Sequence, residues 1–503
     1  MHASTATQVR QPLRAALAPL MAALVLAGCA TAPSGLPDMA TPAQFKEAPT
    51  ARAAAAGEGQ WTRAVPAESQ PRGEWWRAFR DPILDSLVER AVRDEGGNTS
   101  IQQAVARVRQ ARALARITDA DRSLQLGASA GATRQQGLDR NQSNRPSTLI
   151  NAGLTASYEL DLFGRLSRTS EAARLDAQQR EALLQSTRLL VQAEVAQTYL
   201  ALRAVDAERV LVRDNVEAYR DTLRLTQRRQ QAGDVADLDV ARVQTEVSAT
   251  ESDAIALDRR RAELEHALAV LTGEAPASFG IRPENWTTTL PSIPAGVPAT
   301  VLTRRPDVAA SQAAVLAAQA RVGAAQAAYF PDIALTAGGG FASPEIGDLF
   351  KWSARSWGIG ALLSLPILDG GRREAGVQNA SGQLDEALAD YRAQVLNAFK
   401  DVEDQLSAIR LLQEQAQVQQ TAVDSARRAT QLSDTRYRNG YISQLDLLDA
   451  RRSELRNQRQ ALQVKAAQYQ AAVGLVRALG GGWEAPASVG AAAGSGSANS
   501  SRS

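Results

Sequence analysis

Few side chains in this chain of 503 residues are of types that carry chemistry, and their spacing rules most chemistries out. The two histidines, His2 and His266, are far apart in sequence, and His266 stands alone on a predicted helix facing solvent. Neither a histidine acid–base pair nor a histidine metal site is supplied. A single cysteine, Cys29, excludes an internal disulfide and a cysteine metal cluster. The four lysines, Lys46, Lys351, Lys400 and Lys465, lack the preceding Gly and following Ser or Thr of a phosphate-binding loop, so no ATP site is visible. Carboxylate pairs such as Glu403-Asp404 fall within helical tracts as solvated faces. Asp446 and Asp449 remain, three apart on one predicted helix face. Such a pair either caps and solvates a helix start or, multiplied by symmetry, lines an opening. The expectation is a chain that is not an enzyme and takes no cofactor and no metal.

The elements that position those residues come from a duplication. Gly164-Arg165 recurs as Gly371-Arg372, Arg203 as Arg410, Arg229 as Arg436, Gly233 as Gly440, Leu238-Asp239 as Leu445-Asp446 and Gly273 as Gly480, always 207 residues later. Residues 165–232 contain neither Gly nor Pro and are dominated by strong helix formers. They predict one helix of roughly 100 Å at about 1.5 Å per residue. Its apolar positions Leu184, Val191, Val195, Leu202, Val205, Val212, Val216 and Leu223 step by 7, 4, 7, 3, 7, 4 and 7, which is coiled-coil spacing. Gly233 then breaks the helix, Asp237 or Asp239 caps a second one, and Gly273 stops it. The second copy repeats this hairpin over 372–439 and 446–479. Shorter helices are expected at about 81–94, 99–119 and 307–328.

Around the hairpins the composition sets the domain plan. Aromatic content of 5% argues against several packed cores. Arg10 and Arg14 precede an apolar run from Ala15 to Leu26 that ends in Leu26-Ala27-Gly28-Cys29. This resembles a bacterial lipoprotein signal, cleaved so that acylated Cys29, a palmitate carrier, becomes the first residue. Ala30 rather than Asp at the next position resembles an outer-membrane destination. Removal of Arg10 and Arg14 leaves basic and acidic residues balanced, which gives no electrostatic case for nucleic acid. The plan is a signal peptide 1–28, a tether 29–73, a first repeat 74–273, a linker 274–304, a second repeat 305–484 and a disordered tail 485–503.

Alternation of period two brings in the membrane. Residues of about 124–133 and 149–162, and less strictly 333–341 and 357–368, place apolar side chains on one face, with Leu362 breaking the polar face. Polar loops are expected at about 134–148 and 342–355. Such strands fit a transmembrane β-barrel or a soluble sandwich. Four strands cannot close a barrel, and open edges in lipid leave backbone groups unsatisfied. Two copies give eight strands, which side chains fill, and three give twelve with a lumen. The fold class expected is an α+β membrane protein with duplicated halves, four strands per protomer joining a trimeric 12-stranded transmembrane β-barrel continued by a long helical barrel.

The lipobox, the Glu74-Trp75-Trp76 start, the duplicated halves, Arg436-Tyr437-Arg438-Asn439-Gly440, Ser443-Gln444-Leu445-Asp446-Leu447-Leu448-Asp449 and the Leu479-Gly480-Gly481-Gly482-Trp483 end resemble the TolC-type outer-membrane efflux proteins, most of all their lipoprotein branch. The resemblance implies a homotrimeric exit duct for drugs or other small molecules. Its partners are a periplasmic adaptor, an inner-membrane transporter of the resistance-nodulation-division type, and the lipid membrane. It implies an acidic ring at Asp446 and Asp449, a closed-state lock between Tyr437 and Asp239, and adaptor docking around Gly233, Leu238, Gly440, Ser443 and Leu445. Ile442 stands where some members carry an Arg, which removes one charged tie. From the residues alone, turn chemistry accounts for the five docking positions and a coiled-coil seam for Tyr437. A coiled-coil lipoprotein bridging the envelope and a lipid-anchored periplasmic enzyme are the other classes, but a bridge needs no alternating strands and an enzyme needs a convergent polar site.

Overall fold

The computed structural model describes residues 44–47, 73–93, 95–136, 146–291, 293 and 304–481. The signal peptide, Cys29, most of the tether, Trp483, the tail and the middle of the first strand-joining loop lie outside them. The elements are α1 (Pro82–Ala91), α2 (Thr99–Ala120), β1 (Gln125–Gln135), β2 (Ser147–Leu160), α3 (Arg165–Gln231), α4 (Asp237–Thr272), α5 (Pro306–Ala327), β3 (Asp332–Ser343), β4 (Arg355–Ser364), α6 (Arg372–Arg438) and α7 (Gln444–Ala478). A short 3-10 turn over Trp75–Phe79 precedes α1. The two long helices run unbroken for 67 residues each, so Gly376 and Gly382 are carried inside α6 without a break. Asp81, not a residue of the helix itself, accepts from the Ile83 and Leu84 amides and starts α1. One expectation is corrected: Ala236 occupies the cap position of α4, and Asp237 and Asp239 lie in its first turn, where their charge meets the helix dipole instead.

The chain divides into two compact units, and each draws on both sequence halves. One unit contains Arg107–Glu181 and Ala310–Arg392, and with them the sheet. Its four strands follow chain order, β1-β2-β3-β4, and every pair is antiparallel. Residues directly opposite share a face, so the register assigns both faces across all four strands. Leu154, opposite Ala128 and Gly339, leads to Trp357; Leu160 leads to Ile333 and Leu363; all of these fall on one apolar face. Ser129, Thr155, Ser157, Thr336 and Ser356 fall on the other, along with Leu362. On that polar face Gly153 lies opposite Gly340, and a Cβ on Gly340 would collide with the Ala152 carbonyl and the Gly153 Cα. Only two glycines permit this approach, and a glycine pair is how a sheet bends sharply. Asp161 accepts from the Leu166 and Ser167 amides at 3.0 and 2.7 Å, and Asp369 from Gly371 and Arg373 at 3.1 and 3.2 Å, so each strand pair hands over to its long helix at an aspartate cap.

The second loop departs from the polar reading. Between β3 and β4 lie two 3-10 turns that leave Ile346, Phe350 and Trp352 at least 74% exposed. The reason is composition, since the tract Leu349-Phe350-Lys351-Trp352 holds two aromatic residues to one charged residue.

The other unit holds the main core. Trp75, Phe79, Leu84, Leu87, Val195, Tyr199, Leu268 and Val473 pack together with almost no exposure. The predicted seam of α3 is seen here: Val191, Val195, Leu202, Val212 and Val216 are buried, and Leu184, Val205 and Leu223 are half-buried. The duplicated Arg positions find different partners. Arg203 is buried, donating to the Tyr199 hydroxyl and the Arg282 carbonyl at 2.9 Å each, while Arg410 meets Glu47 at 2.8 Å. Lys46 and Glu47 in turn donate their amides to Glu403 at 2.7 and 2.9 Å. The same place on the two long helices is thus covered by the segment after α4 in one half and by the N-terminal segment in the other.

Arg305 ties three elements of this unit. Its guanidinium reaches Asp307 at 2.7 Å, Asp401 at 3.1 Å and the Ala478 carbonyl at 3.1 Å, with the side chain 8% exposed. Arg305→Ala leaves both carboxylates facing each other, though each keeps some solvent, so the expected cost is about 2–4 kcal/mol. Arg224→Ala, which removes an exposed pair with Asp221, is expected to cost less than about 0.5 kcal/mol. Denaturant midpoints in detergent at unchanged slope check both.

Candidate functional site

Two regions expose what function can use: the hairpin turns and the sheet faces. Both long helices end alike. Gly233 and Gly440 adopt left-handed φ values of 82° and 76°. The Asp234 amide returns to the Arg229 carbonyl and the Tyr441 amide to that of Arg436, both at 2.8 Å. This is the six-to-one closure of a glycine C-cap, which a side chain at that position would strain. The two turns expose Leu238, Leu445 and, most of all, Tyr441, which is 76% exposed.

Each predicted residue near the second turn is engaged inside its own chain. Ser443 caps α7, its hydroxyl accepting from the Asp446 amide at 3.3 Å while the Asp446 carboxylate accepts from the Ser443 amide at 3.0 Å. This is a reciprocal capping box. Asp449 pairs with Arg452 at 3.1 Å, and Arg452 also binds Glu246 of α4. Tyr437 is buried, its ring lying 5.5 Å from the Arg229 guanidinium, and its hydroxyl has no hydrogen-bond partner among the described residues. Asp239 lies 3.9 Å from Arg242 instead. The structure therefore places Asp446 and Asp449 on one helix start and leaves Tyr437 and Asp239 unbonded to each other.

Ties between the two hairpins come from residues that the sequence did not single out. Gln444 donates to the Thr226 hydroxyl at 2.7 Å, and Arg451 reaches Thr222 at 2.5 Å while also holding Asp434 of its own hairpin at 3.2 Å. Farther along, Arg459 binds Glu208 at 2.7 Å and Asp253 at 2.9 Å. Beneath them Leu448 packs with Tyr219, Val243 and Val247. Partners more than 200 residues apart carry no local pattern, so only the position of Arg451 and Arg452 after a capped helix start hinted at them.

The sheet is the second region. Along the apolar face Leu126, Leu154, Trp357, Ile359 and Leu363 are each more than 60% exposed, and every residue of β4 is exposed. Among the described residues no strand pairs with the outer edges of β1 and β4. No described helix is long and apolar enough to cross a membrane. Aromatics bound the apolar face at both ends. Phe341 meets Phe350 at 5.5 Å beside Trp352 and Trp357; at the other end Phe163 stacks on Phe330 at 4.6 Å near Tyr158 and Tyr329. An apolar face, free edges and two aromatic margins are together the surface of a strand set made for lipid.

Comparison with known proteins supplies the deciding observation: the model of the outer membrane efflux protein family matches residues 95–274 and again 297–481. The chain belongs to the outer membrane efflux protein family. Among its relatives, the pyoverdine export outer membrane protein OpmQ of Pseudomonas aeruginosa is 33% identical over 479 residues, covering 92% of this chain and 96% of that one. The cation efflux system protein CusC of Escherichia coli is 30% identical over 474 residues, covering 93% and 99%. The solved outer membrane protein VceC of Vibrio cholerae superposes with a TM-score of 0.76 at 28% identity, covering 82% of this chain and 99% of that one. Within this family fold, two unbroken helices of 67 residues each lead to the two hairpin turns.

Tyr219 offers a test of the packing near those turns. Its ring is 1% exposed, its hydroxyl has no partner among the described residues, and burial pushes its pKa up to about 12 from 10.0. The folded chain keeps its proton where the unfolded chain loses it. Stability from this group is therefore full below pH 10 and falls as pH rises toward 12, by about 2–3 kcal/mol. Tyr219→Phe is expected to abolish that alkaline loss and to be neutral or slightly stabilising at pH 7, whereas Tyr219→Ala costs about 3–5 kcal/mol. Urea titrations at pH 7, 10 and 12 read all three.

Proposed function

We propose that this chain is the outer-membrane channel of a tripartite efflux system, a passive exit duct without enzymatic activity. Three copies pool their strands into one closed barrel of twelve, with the apolar faces toward lipid and the polar faces toward a water-filled lumen. The observation that carries the reading is the sheet whose apolar face is exposed and whose two outer edges have no partner strand among the described residues. In lipid each unpaired backbone group costs several kcal/mol, so the edges must find strands of other copies. Two copies would make eight strands and a filled interior; three make twelve and leave a passage. The long hairpins then line the periplasmic continuation. An envelope bridge made of coiled coil leaves the sheet without a purpose.

Drugs or other small molecules would reach the duct from an inner-membrane transporter, of the resistance-nodulation-division type, through a periplasmic adaptor. The names of OpmQ, a pyoverdine exporter, and CusC, a cation efflux protein, support small-molecule cargo of different kinds. Acylation of Cys29 would anchor each copy to the outer membrane. At the far end the adaptor would engage the turns around Gly233, Leu238, Gly440, Ser443 and Leu445, and the exposure of Leu238 and Leu445 supports this. Asp446 and Asp449 would form the periplasmic aperture, tripled by symmetry, with Asp446 held in place by its capping box.

Closure by Tyr437 and Asp239 would require movement, because the Tyr437 hydroxyl is already sealed inside its own chain. Arg451 and Gln444 are the ties that such a movement would break.

Two measurements test the reading. Purified full-length protein reconstituted in planar bilayers is expected to give single-channel current from a heat-resistant trimer; a monomer without current would defeat it. In liposomes, lipids brominated near the headgroup are expected to quench Trp352 and Trp357 fluorescence more than lipids brominated at mid-chain, and Trp352→Phe with Trp357→Phe should remove most of the quenchable signal.

A further inference from the structure

We propose that Glu159, Asp332 and Arg165 form the charge row that sets ion preference in the sheet-lined part of the duct. The proposal rests on the reading of three copies closed with their polar faces inward. The register makes the argument. Along that face Ser129, Thr155, Thr336 and Ser356 alternate with glycines, and no charged residue occurs on it for most of the strand length. The two exceptions are Glu159, opposite Ala334, and Asp332, opposite Ser364. Both lie at the end where strands give way to helices.

Arg165, the first residue of α3, reaches both carboxylates. It binds Glu159 closely and lies 3.4 Å from Asp332, so one guanidinium bridges neighbouring strands β2 and β3. The three side chains keep 30%, 51% and 35% of their exposure for Glu159, Asp332 and Arg165, which leaves their field open to water on the polar face. Two carboxylates against one guanidinium leave one negative charge per chain on this wall. The nearby Asp161 is turned to the α3 amides, where the helix dipole offsets it.

The second half has no such row. The position matching Glu159 is Pro366, and Arg372, which matches Arg165, makes no ion pair among the described residues. The row therefore recurs three times around a trimer, not six. A ring of like charge on an otherwise uncharged wall raises the local concentration of counter-ions, here cations, and repels anions.

The test uses the full chain in planar bilayers under a potassium chloride gradient near 0.1 M, where the Debye length is about 10 Å. Glu159→Gln with Asp332→Asn is expected to lower the cation-to-anion permeability ratio roughly two- to fivefold, and Arg165→Gln to raise it by a similar factor. Both shifts should shrink at 1 M salt, where screening acts over about 3 Å. If the double variant fails to insert, Asp332→Asn alone should give a smaller shift of the same sign. Opposite shifts support the proposal, because a purely structural tie would reduce the number of channels in every variant without moving the ratio in two directions. Unchanged ratios, or shifts of one sign, overturn it while leaving the duct intact. Absence of current from the unaltered protein defeats the duct reading and this proposal together.

Discussion

The need of every backbone amide and carbonyl for a hydrogen-bond partner governs the rest of this structure. In the interior of β2 and β3 that need is met on both sides, by the neighbouring strands. At the outer edges of β1 and β4 it is met by no strand among the described residues, and the face that those strands share is apolar. Water would satisfy the edges but not the face, and lipid would satisfy the face but not the edges. Pairing with further copies is the arrangement that answers both. The Gly153–Gly340 approach belongs to the same requirement, since strands that close on their neighbours must bend, and side chains at that point would hold them flat.

The helical part obeys a different constraint. Its seam is apolar along the middle of α3, where Val191, Val195, Leu202 and Val212 are buried. Toward the turns the contacts between the hairpins are of both kinds: Leu448 packs with Tyr219, Val243 and Val247, while Gln444 reaches Thr226, Arg451 reaches Thr222 and Arg452 reaches Glu246. Apolar packing is lost in proportion to area, and a polar tie with little exposure leaves an unsatisfied group behind when only one partner is removed. The turn end is therefore held by apolar packing as the middle is, with directional polar ties added to it.

Much of this was written in local pattern. The Gly-free helices, the coiled-coil seam and the alternating strands each follow from residues close in sequence, the 207-residue offset repeats those same patterns, and the observed bounds fall within a few residues of those expected. Residues whose meaning depends on distant partners were not legible. Nothing in the sequence pairs Arg451 with Thr222 or Arg165 with Asp332. Loop position misled between β3 and β4, where it suggested polarity against the segment's own aromatic content. At α4 two aspartates competed for one cap and neither takes it, because Ala236 supplies the extended backbone that the cap needs. The Tyr437–Asp239 bond was implied by resemblance alone, and within one chain the Tyr437 hydroxyl is buried without a partner among the described residues.

Duplication also explains how one chain serves a ring of odd symmetry. Two similar halves give two hairpins and two strand pairs, so three copies present six near-equivalent positions. The halves are free to diverge wherever equivalence is not required. Arg203 is buried beneath the segment after α4, while its counterpart Arg410 receives Glu47 from the N-terminal segment. Asp446 is locked into a capping box with Ser443, while its counterpart Asp239 sits in a helix turn that lacks a side-chain cap. The two hairpin starts are therefore held differently, the second by a reciprocal side-chain cap and the first by its backbone and the charge of its first turn.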